Sequence, residues 1–226
     1  MPTSSEVLVQ DLKRRFSHIE YGQRDEISKA LGDLISQRTD VSGGICLGLS
    51  CQWIELHRDY HSMGRGEKYR VECIMKRIQD LSADSAFFYR AMNSQAEYIN
   101  NSGLGEDIRI NETAKKYKLQ FGEKKTYQPG KSIDEFRPLI QDVGSTHSYH
   151  LITFGGKRGA HAICSYKSGG KLFGIGSHLY VFDPNIGEFR LGGSDHTAYF
   201  FRDLLNYYAR QIGMSFLHTR RVGFGR

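Results

Sequence analysis

A cysteine, a histidine and an aspartate stand out by what surrounds them. Cys46 follows Gly43 and Gly44 and opens an apolar run. Within that run Leu47, Ser50, Cys51 and Ile54 recur at i, i+3, i+4 and i+7, which is one face of a helix. A cysteine in the first turn of a helix meets unpaired backbone N–H groups and the positive end of the helix dipole. Both favour the thiolate, the nucleophilic form of the group. The two glycines leave no side chains beside the sulfur, so a substrate backbone can come close. Cys51 lies inside the apolar face and reads as a small core hydrophobe. A buried, inert thiol is the competing reading for Cys46 too, and its partners decide between them.

His161 alternates with Ala160, Ala162 and Cys164 on an expected strand whose small residues leave room against the imidazole. Asp183 ends an apolar strand, just before Pro184 halts pairing. Strands 159–166 and 177–182, joined through Gly169 and Gly170, are expected to pair as a hairpin that brings His161 close to Asp183. A carboxylate on one imidazole nitrogen fixes the tautomer and the ring orientation. The other nitrogen is then free to share a proton with Cys46. This gives nucleophile, base and orienter, in the chain order Cys, His, Asp. Taken singly, a strand histidine is most often a satisfied core residue and an Asp before Pro a common turn former. It is the combination that points to acyl transfer.

Several elements must position these groups. Amphipathic spacing predicts helices from Ser5 to about His18, from Asp25 to Gln37, from Cys46 to about His61 and from Glu67 to Leu81. A further helix, capped by Ser82 or Asp84, runs to Asn101. Near residue 104 helical signals thin out and glycines, aromatics and β-branched residues rise. Ser132-Ile133-Asp134-Glu135 is a capping box for a short helix ending near Asp142, with Pro138 inside it as a source of kinking. Strands follow at 149–154, 159–166, 177–182 and 187–191. A helix from Ser194 or Asp195 to Gly213 and a last strand from Met214 to His218 complete the chain. The whole is expected to be one domain, 1–226: a helical lead-in 1–42, a helical half 43–103 and a sheet half 104–226.

Composition bounds the alternatives. Hydrophobic content of 39% and charged content of 25% in 226 residues describe a folded protein with a sizeable core, not a disordered chain. No apolar window is long enough for a membrane helix. The start, Met1-Pro2-Thr3-Ser4-Ser5-Glu6, shows no Sec-type signal. Four cysteines are too few for a disulfide framework at this length and read as reduced thiols. The net charge of +6 is uneven: residues 1–103 hold 13 Lys and Arg against 14 Asp and Glu, and residues 104–226 hold 18 against 11. Lys115, Lys116, Lys118, Lys124, Lys125 and Lys131 form a solvated face or, alternatively, a patch for an acidic partner or an anionic membrane surface. No nucleic-acid module accompanies them, so nucleic acid is not an expected partner. His57 and His61 share a helix face that could hold zinc, but Arg58 stands where zinc proteases need Glu and no third ligand is evident. Neither metal nor organic cofactor is expected, and the chain is expected to be a monomer.

Three stretches carry a resemblance: Gly44-Ile45-Cys46-x-Gly48-Leu49-x-x-x-Trp53, Gly159-Ala160-His161-Ala162-Ile163, and Phe182-Asp183-Pro184-Asn185-x-Gly187-Glu188-Phe189. Together, within residues 43–205, they resemble the YopT/AvrPphB family of papain-like cysteine proteases that bacteria deliver into host cells. The resemblance implies an α+β, papain-like fold, with a helical part bearing the nucleophile packed on an antiparallel sheet. It implies Cys46 as nucleophile, His161 as general base and Asp183 as orienting acid of a cysteine endopeptidase. It also implies secretion without a Sec signal and action on a host protein in the host cytoplasm or at the membrane periphery. Prenylated Rho-type GTPases and a plant kinase are among the family's targets. Two departures matter. Papain-type enzymes often place Gln about six residues before the cysteine to donate to the oxyanion, and here that position is Asp40, which would repel it if ionised. The N–H of Cys46 can serve as one donor; a second is unassigned. Also, 22 positions separate His161 from Asp183, which requires a long hairpin. Two alternatives share the pattern: a deamidase or transglutaminase acting on a Gln side chain, and a silent binding module that kept the fold.

Overall fold

A computed structural model describes residues 4–20, 38–41, 44–62, 85–170 and 176–225. The described elements, in chain order, begin with α1 (Ser4–Arg15), β1 (Ser17–Glu20), α2 (Cys46–Ser62), α3 (Ser85–Asn100) and α4 (Glu106–Lys115). They continue with β2 (Leu119–Tyr127), α5 (Ile133–Val143), β3 (Ser148–Gly156), β4 (Gly159–Lys167) and β5 (His178–Asp183). β6 (Gly187–Gly192), α6 (Ser194–Ile212) and β7 (Met214–Phe224) complete the set. The expected helices at 25–37 and 67–81, with Gly43 and Cys73, lie outside the described residues.

The strands form one seven-stranded sheet in the order β1-β6-β5-β4-β3-β7-β2, and every pairing is antiparallel. Its central strands are buried on both faces, because side chains that alternate along each strand meet a different layer of helices on either side. One core joins Leu49, Trp53, Met92 and Ile110 from α2, α3 and α4 to Leu151, Cys164 and Phe182 of the sheet. The other joins Leu12, Phe136, Leu139, Phe201 and Leu204 from α1, α5 and α6 to Ile152, Ile163, Val181 and Phe189. Each fully buried side chain of this size contributes roughly 1.5–3 kcal/mol through removal from water.

Two glycines set the placement of α2. Gly44 has φ +114°, a conformation that side-chain-bearing residues rarely adopt, and it turns the chain into the helix at Cys46. Gly48 lies where α2 crosses α3; a Cβ there would stand 2.4 Å from the carbonyl oxygen of Ala91. The capping box forms as the sequence predicts: the Ser132 hydroxyl accepts from the Glu135 N–H and the Ser132 N–H donates to Glu135 Oε2, at 2.8 Å. α5 then runs unbroken through Pro138.

The sequence reading is corrected in four places. The first helix stops at Arg15 and not near His18, because residues 17–20 instead pair with β6. The stretch after residue 104 contains α4, whose only buried positions are Ile110, Thr113 and Ala114, too narrow a stripe to announce a helix. The basic run spans the end of α4 and β2, an edge strand beside β7 that carries Lys124 and Lys125. Four of its six lysines have acidic partners nearby: Lys124 with Glu106 at 3.2 Å, Lys115 with Glu112 at 2.6 Å, Lys125 with Asp142 and Lys116 with Glu97. Lysines on an edge strand also discourage further strand pairing. Finally, β7 extends past His218 to Phe224, through Arg220, which is buried against Asp107 and Glu106 and so hides its strand character behind charge.

Candidate active site

Cys46 is the first residue of α2 and is partly exposed. His161 is the third residue of β4, and Asp183 ends β5, fully buried. The β4–β5 ladder runs from Lys167–Leu179 to Cys164–Phe182 and then opens. Asp183 therefore lies one step beyond the last pair, diagonal to His161 on the same side of the sheet. Its Oδ1 is 2.9 Å from His161 Nε2. With Nε2 so engaged, the other ring nitrogen is left for Cys46, which lines the same cleft. The long hairpin thus joins the two residues across the 22 positions between them.

Each group shifts the other. Burial alone would raise the Cys46 thiol, but the hydrogen bond and charge of His161, with the backbone N–H groups of Ala162 and Leu47, outweigh it and bring the thiol below its usual value. Burial alone would make His161 less basic. The charge and hydrogen bond of Asp183, followed by those of Cys46, reverse this and push the imidazole up to about 10. Both shifts run in the direction of a thiolate beside an imidazolium. Cys51 and Cys164 are buried without such partners, and burial pushes both thiols up.

Residues that local patterns did not single out brace this pair. Tyr208 on α6 donates its hydroxyl to Asp183, 2.8 Å from Oδ2 and 3.0 Å from Oδ1. Its ring stacks on His161, centroids 4.7 Å apart. In the sequence Tyr208 is one more apolar position on a helix face. The backbone N–H of Asn185 donates to Asp183 Oδ1 at 2.8 Å, and its Nδ2 donates to the Tyr208 hydroxyl at 3.2 Å. Asp-Pro-Asn here is a side-chain-capped turn that holds the carboxylate in place. Trp53 stacks on Phe182 and donates from Nε1 to Glu188 Oε2 at 2.7 Å, tying α2 to the β5–β6 hairpin. Burial pushes the Glu188 carboxyl up to about 8, so it holds a proton at neutral pH.

A cleft opens over Cys46 and His161, lined also by Gln95, Tyr98, Glu106 and Phe216. Asp40 does not line it. The Arg38 guanidinium holds that carboxylate, with Nε 3.0 Å from Oδ1, and itself reaches Asn93. The expectation that Asp40 would face a developing oxyanion is therefore corrected. His57 is fully buried, its Nδ1 2.7 Å from the Tyr149 hydroxyl and its ring stacked on Trp53. The described structure thus gives His57 a packing role inside the core; the His61 side chain lies outside the described residues.

The family model Peptidase_C58, described as Yersinia/Haemophilus virulence surface antigen, matches residues 17–219. Among solved structures, the Pseudomonas avirulence protein AvrPphB superposes with a TM-score of 0.59 at 18% identity, over 82% of this chain and 95% of that one. The cysteine protease-like domain PatoxP of the Photorhabdus asymbiotica toxin PaTox gives a TM-score of 0.48 at 13% identity, over 96% of this chain and 58% of that one. No curated protein matches in sequence. The likeness to AvrPphB gives the fold, papain-like α+β.

Proposed function

Because the chain belongs to the Peptidase_C58 family of Yersinia/Haemophilus virulence surface antigens, we propose that it is a cysteine protease working through Cys46, His161 and Asp183. The observation that carries the reading is the buried Asp183 carboxylate 2.9 Å from His161 Nε2, with His161 and Cys46 lining one cleft. The Cys46 thiolate attacks the scissile carbonyl carbon. Its electron pair forms the C–S bond while the carbonyl π pair moves onto oxygen. On collapse, the C–N bond breaks and the His161 imidazolium gives its proton to the leaving amine. The now neutral His161 takes a proton from water, hydroxide attacks the thioester, and the acid product leaves with the thiolate restored. Asp183 keeps the ring oriented and compensates its charge in both half-reactions. Proton transfer by the positioned imidazole supplies roughly 100- to 10,000-fold.

The same reading makes it a bacterial effector, secreted into a host cell and cutting a host protein in the cytoplasm or at the membrane periphery; the family's description supports the virulence part of that reading. The cleft over Cys46 is the surface proposed to receive the substrate. The test is to map new protein N-termini in host lysate treated with wild type and with Cys46→Ala. Termini made only by wild type are expected. Glutamine side chains gaining one mass unit, or cross-linked to amines, would replace the protease reading with deamidation or transglutamination. An unchanged lysate, together with Cys46 alkylated no faster than Cys51, would leave a binding module.

A further inference from the structure

Papain-type catalysis needs a second donor for the oxyanion besides the N–H of the nucleophile itself, and the position before the cysteine offers only Asp40, locked to Arg38. A different helix supplies a candidate. Gln95 sits on α3, is 6% exposed, and lines the cleft beside Cys46. The N–H of Leu47, the residue after the nucleophile, donates to Gln95 Oε1 at 3.1 Å. A backbone N–H can meet only an acceptor, so this contact fixes the amide orientation. The oxygen faces α2, and Nε2, the donor end, is turned the other way. Nε2 has no partner among the described residues, nor is it sealed in the core as an unsatisfied atom. An amide held by its oxygen, with its donors unpartnered at a cleft, is placed to donate to an acceptor bound there.

We propose that Gln95 is a catalytic residue whose Nε2 donates to the carbonyl oxygen of the substrate as it becomes an oxyanion, alongside the N–H of Cys46. The inference rests on the cysteine protease reading above. In the step it serves, the thiolate pair forms the C–S bond and the carbonyl π pair becomes the oxyanion lone pair that Nε2–H meets. No proton changes hands with Gln95. Its Oε1 has a separate role. Held by the Leu47 N–H, it keeps the amide from rotating, so the donor is aimed before substrate arrives. An oxyanion donor fixed in advance costs no reorganisation during the reaction. A residue that only braced the start of α2 would need the oxygen alone.

Two reagents separate the roles on the full-length protein. p-Nitrophenyl acetate acylates Cys46 through a tetrahedral oxyanion; iodoacetamide alkylates the same sulfur by direct displacement and forms none. Gln95→Met keeps length and neutrality without a donor. Gln95→Glu keeps the acceptor for Leu47 and removes the donor. The acylation burst is expected to fall about 100-fold in Gln95→Met, and at least as far in Gln95→Glu. Alkylation of Gln95→Met is expected to stay within about threefold of wild type, since the Cys46–His161 pair is untouched. Wild-type acylation in Gln95→Glu would overturn the proposal. So would equal losses of acylation and alkylation in Gln95→Met, which would mark Gln95 as a brace. If wild type itself shows neither a burst nor faster alkylation of Cys46 than of Cys51 and Cys164, the protease reading falls and takes this inference with it.

Discussion

Replacing Asp183 by Asn tests the electrostatic core of the site while keeping its shape. The carbonyl of Asn can still accept from the Asn185 N–H and from His161 Nε2–H, so the ring keeps its tautomer, and its Nδ2 can donate to the Tyr208 hydroxyl oxygen. What disappears is one full negative charge beside a buried imidazolium. The contact is 2.9 Å between nitrogen and oxygen, with both side chains almost completely shielded from water. For unit charges about 4 Å apart at an effective dielectric of about 20, the interaction is about 4 kcal/mol. At about 1.4 kcal/mol per pH unit, this corresponds to roughly three units. The His161 midpoint, about 10 in the wild type, should therefore fall to about 7 in Asp183→Asn. At pH 8 the imidazolium fraction would drop from nearly all to about one-tenth. The assay is a pH titration of the His161 ring by long-range nitrogen–proton correlation NMR, with heat denaturation to verify folding. A midpoint moving by less than about one unit in a folded variant would refute the reasoning, since burial and the thiolate alone would then set the basicity of the ring.

Other perturbations follow from the same contacts. Tyr208→Phe keeps the ring stacked on His161 but leaves Asp183 without a hydroxyl donor, and should lower stability to urea by about 1.5–3 kcal/mol. Glu188 is an acid raised in the folded state to about 8, so the unfolded chain loses that proton first as pH rises. Its cost is therefore absent below about pH 4.5, grows from there to about pH 8, and is constant above. Glu188→Gln should leave acid-side stability unchanged and raise stability at pH 8 by on the order of 4 kcal/mol, read from denaturant midpoints at both pH values. Gly48→Ala gains about 1 kcal/mol of helix propensity but drives a methyl group into the backbone of Ala91; a net loss of about 1–3 kcal/mol is expected. Because that contact also spaces α2 from Gln95, acylation of Cys46 should fall further than thermal stability alone explains.

Cys46, His161 and Asp183 were legible as candidates because each sits where a local pattern breaks: at glycines before a helix, among small residues on a strand, and before a proline. The capping box at Ser132 and the glycine hairpin were equally local. Long apolar strands and strongly amphipathic helices were readable by period. α4 and β2 were not, because a polar helix and a lysine-rich edge strand bury too little for periodicity to show.

The chain of residues by itself determined which side chains can do chemistry and the antiparallel hairpin that joins two of them, since hairpin register depends on neighbours in sequence. Tertiary structure alone decided which residues surround them. Gln95 and Tyr208 look like ordinary helix-face positions, 48 residues after Leu47 and 25 after Asp183. They meet these partners only when α3 crosses α2 at Gly48 and when α6 packs on the opposite face of the sheet. Hydrogen-bond partners so distant along the chain leave no period or spacing to read; their meeting is fixed by which apolar faces pack together.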